Sequence, residues 1–138
     1  METYTVALFG EAEKGDYQKP SLCGSVEQLL DLFGNPPIDS KGIFYAIQAL
    51  LYQRSLLFFR VKEEGFSYED YAFGLNLLKK QTLIPEFQAV CLPGVGSSEI
   101  IDAMEPICKI YHSLLIINES DFYDYLTEIQ ERKNKLFT

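Results

Sequence analysis

One histidine, His112, is the chain's whole supply of imidazole. That excludes a metal cluster built on histidines and makes any Ser-His-Asp or Cys-His arrangement depend on this residue. His112 falls between an expected helix end and a strand start, where a histidine can instead meet the last helix carbonyls. Cysteine is also scarce: Cys23, Cys91 and Cys108 are odd in number, widely spaced and without a CxxC pair. Cys91 and Cys108 lie in apolar runs and read as small buried hydrophobes, which implies a reduced, cytoplasmic setting. Basic clusters are missing as well. Lysines and arginines number 12 against 20 acids, a net charge of −8, and Arg132, Lys133 and Lys135 are interleaved with Glu128 and Glu131. Nucleic-acid binding and attraction to anionic lipid both need clustered cations, so both are excluded from the expectation. No apolar run approaches the roughly 20 residues that span a bilayer, and the opening METYTV has no basic n-region or long h-region. Asp102, Asp121 and Asp124 fall on helices or their first turns, where negative charge suits the helix dipole, and no DxDxDG-type loop surrounds them. The expectation is no metal and no cofactor.

What is present is a large apolar supply. Hydrophobic residues make up 47% and aromatics 14% of 138 positions, enough for one self-sufficient core. A strand is expected at 4–9, closed by Gly10, and the polar stretch GEAEKGDYQK forms a loop. Pro20–Cys23 suits a short edge strand, where proline is tolerated. Ser25 and Gln28 have capping-box spacing, and Val26, Leu29, Leu30 and Phe33 give that helix its stripe before Gly34-Asn35-Pro36-Pro37 ends it. Ile43, Phe44, Ile47, Leu50 and Leu51 mark the one buried face of the next helix. It leads to a strand over 55–61 that does not alternate and so is covered on both faces, with Arg60 carrying its charge outward on a long stem. Ser67–Asp70 caps a helix using Tyr71, Ala72, Leu75 and Leu78 and ending near Gln81. A strand follows at 87–92, then a helix over 99–111 that Pro106 should kink or break. The fully apolar strand 113–118 precedes a last helix capped by Ser120, with Phe122, Tyr125, Leu126 and Ile129 inward. Alternating strands and helices predict an α/β fold. It is read as a single layered domain over 1–138, with a mainly parallel sheet of about four to five strands flanked by helices.

Two stretches invite a functional reading. Gly94, Val95, Gly96, Ser97 and Ser98 join a strand to a helix, so their amides are placed to hold an anion at the carboxyl end of the sheet. The stretch matches neither a P-loop nor GxGxxG, and Glu99 follows in the first turn. A tight turn with a serine cap accounts for the same residues. The aromatics Phe66, Tyr68, Tyr71 and Phe73, with the cluster at 122–125, exceed what one core needs. Phe66, Tyr68, Phe73 and Tyr123 are the candidate protein-binding surface, with packing the alternative.

The series VALFGEAEKG, VEQLLDLFGNP and YAIQALLYQRSLLFFRV, followed by FGLNLLKK, FQAVCLPGV and SLLIIN, resembles the conserved domain of contractile tail sheath proteins over roughly 6–118. The resemblance implies a non-enzymatic structural protein that self-associates or joins tail- or sheath-like components, in the cytoplasm or within a phage-tail-like particle. It also implies that the charged loop 10–19 is architectural. Family members are far longer and use terminal arms to add strands to neighbouring subunits; here the first strand lies close to Met1 and no arm is expected.

Overall fold

Strand β1 (Thr5–Gly10) is buried along its whole length, and every residue from Val6 to Phe9 packs into the core on one face of the sheet or the other. The computed structural model describes residues 4–80 and 86–136, the side chains of 128–136 excepted. The chain continues through β2 (Ser21–Cys23), α1 (Val26–Phe33), α2 (Gly42–Leu51), β3 (Ser55–Arg60) and α3 (Tyr68–Lys79). It ends with β4 (Ala89–Cys91), α4 (Ser98–Ile110), β5 (Leu114–Ile116) and α5 (Glu119–Leu136). The expected end of α3 near Gln81 and the inward position of Ile129 lie outside the described residues and side chains.

The sheet order is β2-β3-β1-β4-β5, parallel throughout except for β2, which pairs antiparallel with β3. This is the α/β domain the sequence predicts, with the short proline-led segment on one edge. Successive residues point to opposite faces. Val6, Leu8, Leu56 and Phe58 therefore pack with α1, α2 and the Phe122, Tyr125 and Leu126 stripe of α5. Ala7, Phe9, Leu57 and Phe59 pack with α3 and α4.

Several local expectations change. Helix α4 runs unbroken from Ser98 to Ile110 with Pro106 inside it. The cap of α5 is Asn118, not Ser120: Asn118 Oδ1 accepts from the Asp121 amide at 2.8 Å and its side-chain amide donates to Asp121 Oδ2 at 3.0 Å. Ser25 does cap α1, accepting from the Gln28 amide at 3.1 Å. Ser67 instead ties down the preceding loop, its hydroxyl bonded to the Glu63 amide and carbonyl. Arg60 does not run out to solvent. Its guanidinium donates to the carbonyls of Gly15 and Ala12 and lies 4.1 Å from the Tyr17 ring centroid, which fixes the charged loop onto the sheet.

Arg54, absent from the sequence-based expectations, is only 2% exposed. It donates to the carbonyl of Tyr52 and, at 3.0 Å, to that of Leu126, so it joins the start of β3 to the middle of α5. On the other face, Phe9 stacks on Phe59 at 4.4 Å and on Tyr71 at 5.4 Å. Gly74 lets α3 approach this stack: a Cβ there would meet Phe9 Cε2 at 2.2 Å. Gly74→Ala sets a gain in helix propensity of about 1 kcal/mol against overpacking of rings that have no free space. Overpacking should dominate and lower stability by about 1–3 kcal/mol, read as a lower urea midpoint at unchanged slope.

Candidate functional site

The winding direction of the parallel strands reverses between β1 and β4, since β3 lies on one side of β1 and β4 on the other. In open α/β sheets a ligand crevice forms outside the carboxyl ends of the strands at such a point. Here the loop after β3 crosses that position. The Val61 amide donates to the Gly10 carbonyl at 3.0 Å, and the chain then turns so that Glu64 points back over the end of β1. Glu64 is buried, and its carboxylate accepts from the amides of Lys41 at 2.7 Å, Gly42 at 2.8 Å and Glu11 at 3.1 Å. Its own amide donates to Glu11 Oε2 at 3.0 Å. A helix N-terminus favours an anion; at α2 that anion is a side chain of the same molecule.

Glycines make the contact possible. A Cβ on Gly42 would stand 2.6 Å from Gly10 Cα. Gly65 has φ +88°, its amide donates to the Tyr71 hydroxyl at 2.7 Å, and a Cβ there would meet the Gly94 carbonyl oxygen at 2.2 Å. The loop after β3 is thus seated against the loop after β4, with the crevice between them closed. Desolvation is the main influence on Glu64 and raises its pKa, in part offset by the amides of Lys41, Glu11 and Gly42. Burial likewise pushes the thiols of Cys23 and Cys108 up to about 11 and that of Cys91 higher still. All three cysteines are buried and unpaired, Cys91 and Cys108 as the sequence implies.

The turn of Gly94, Val95, Gly96, Ser97 and Ser98 does join β4 to α4. Gly94 takes φ +77° against the Glu64–Gly65 loop, Val95 is buried, and Gly96 faces open space. Ser97 is the N-cap residue, yet its side chain makes no capping bond, so the expected serine cap is not formed. Glu99 is in the first turn of α4. His112 is exposed, in the left-handed conformation (φ +54°) just beyond α4, where its amide donates to the Lys109 carbonyl. No group of three or more His, Cys, Asp and Glu suited to a metal occurs among the described residues, and no described helix is long and apolar enough to cross a membrane.

The candidate interaction residues are on the surface but on two layers. Phe66 (78% exposed), Tyr68 and Phe73 (37%) belong to α3 and its approach; Tyr123 (59%) belongs to α5 across the sheet. Tyr71, Phe122 and Tyr125 are core residues. Tyr123 borders a cleft of about 350 Å³ between α2 and α5 with Phe44, Gln48 and Phe122. Helix α2, which carries no charge from Gly42 to Leu51, also exposes Phe44 and Leu51, which the sequence pattern places on its buried face; Tyr45, Ala46 and Ala49 are buried there with Ile43 and Leu50, because the helix turns its small residues toward the sheet. Sequence reading missed Glu64, hidden in the charged string KEEG, although the glycine after it hints at a forced turn. No family model matches the chain, and neither a curated protein nor a solved structure matches it significantly.

Glu64→Gln places an NH₂ group against the Lys41 amide and leaves that donor unpaired, a loss of about 1–3 kcal/mol at neutral pH. In the natural chain the folded state holds the Glu64 proton more tightly than the unfolded state does. Stability from Glu64 therefore falls as pH rises from its ordinary 4.5 through the raised folded value, and is flat above it. Chemical denaturation across that range should show this descent for the natural chain and its absence for Glu64→Gln.

Proposed function

We propose that this chain is a non-enzymatic assembly protein acting through protein–protein surfaces. The supporting observation is the closed switch point, where the carboxylate that a ligand phosphate would displace is Glu64 itself, bound to three amides. Apolar side chains stand instead on the outer layers: Phe66 and Phe73 at α3, Phe44 and Leu51 on α2, and Tyr123 on α5. Aromatic residues set on a polar surface are the usual anchors of protein interfaces. The sequence resemblance to contractile tail sheath proteins leads to the same reading, with a place in the cytoplasm or in a phage-tail-like particle.

The rival reading is a small ligand-binding or regulatory domain with an anion site at Gly94–Ser98. Light scattering after gel filtration, with negative-stain imaging over a wide concentration range, tests the proposal. Rings, tubes or a discrete oligomer are expected. A strict monomer, stabilised against heat by phosphate compounds in a manner abolished by Gly96→Pro, would replace it with the rival.

A further inference from the structure

Strand β5 ends the sheet, and among the described residues no strand pairs with its outer side. The Leu114 amide donates to Gln88 and the Ile116 carbonyl accepts from Leu92, so these two residues turn their backbone toward β4. Alternation along a parallel ladder then turns the amide and carbonyl of Leu115 outward. Natural edges are guarded by charges, proline or a bulge; residues 113–117, Ser-Leu-Leu-Ile-Ile, supply none of the charge or proline. Leu114 is 55% exposed. A groove of about 800 Å³ lies at this edge, and Glu105 and Lys109 of α4, with His112 and Asp121, line it beside Leu114 and Leu115.

We propose that this edge binds a second copy of the chain, β5 against β5 in antiparallel register about a two-fold axis at Leu115. The inference rests on the assembly reading above and names its partner. The charges on the groove walls select the occupant. A two-fold axis normal to the sheet sets α4 antiparallel to its counterpart, and in the proposed dimer the axis passes level with Ile107, so that Glu105 of each copy faces Lys109 of the other. The same axis sets Ser113 opposite Ile117, Leu114 opposite Ile116, and His112 opposite Asn118 near Asp121. Leu114 is then covered by Ile116 of the other copy, and about four backbone hydrogen bonds close the edge. With a net charge of −8 per chain, two copies repel except where opposite charges meet, and this groove is such a place.

The test is sedimentation of the natural chain, Glu105→Lys, Lys109→Glu and an equimolar mixture of the two variants. Both residues are exposed, so folding should persist, checked by circular dichroism. The natural chain should dimerise; each variant alone should bind itself roughly tenfold or more weakly. The mixture should regain dimer, because both cross-pairs are again opposite in sign. Protection of the Leu115 amide from hydrogen exchange should rise with concentration. A dimer that survives both variants but is lost in Leu51→Lys overturns this interface and leaves the assembly reading standing. A monomer at every concentration overturns both.

Discussion

The carboxylate of Glu64 brings together three parts of the chain that arrive from different directions: the end of β1, the start of α2 and the loop after β3. Its charge is met by peptide dipoles, an arrangement that works only while each amide stays within hydrogen-bond reach. The glycines follow from this requirement. Gly10 and Gly42 let strand and helix backbones touch, and Gly65 lets the loop lie on Gly94. Tyr71 continues the chain of contacts, its hydroxyl on the Gly65 amide and its ring on Phe9.

The architecture was largely legible in the sequence, because it rests on periodicity and punctuation. The apolar runs of β1 and β3, the stripe of α1, and the proline before β2 express forces that act on neighbouring residues; the stripe of α2 was read only in part, since Phe44 and Leu51 are exposed. The site was not legible. Glu64 lies 53 positions from Glu11 and 22 from Gly42 in sequence, and neither spacing is a motif. Among Lys62, Glu63 and Glu64 only the last is buried, a difference set by the path of a loop and by no property of the residue type. Arg54 escaped for the same reason: a charge after a helix reads as solvated until α5 is placed over it. Pro106 shows the reverse case. Its local cost to α4 is real, yet Ile100, Met104, Ile107 and Cys108 on the buried face keep the helix whole.

Where many α/β domains leave space at the ends of their central strands, this one has spent that space on its own cohesion. The polar groups that converge there, the Glu64 carboxylate and the amides of Glu11, Lys41 and Gly42, bind one another. The exposed apolar side chains stand laterally: on the flank of α2 and α5, at the approach to α3, and on the outer side of β5. Such surfaces select partners by shape, apolar area and the sign of nearby charge.

The ladder between β1 and β3 has six registered pairs, whereas those of β4 with β1 and with β5 have three each. The sheet therefore tapers toward β5, as it does toward β2, which pairs with β3 at three positions. On warming, its seams should part in order, starting at the thin margins and reaching the β1–β3 centre last. Anything that lies along such a margin acts as a selvedge: it protects a place where unravelling begins, so a modest binding energy there would delay melting of the whole fabric.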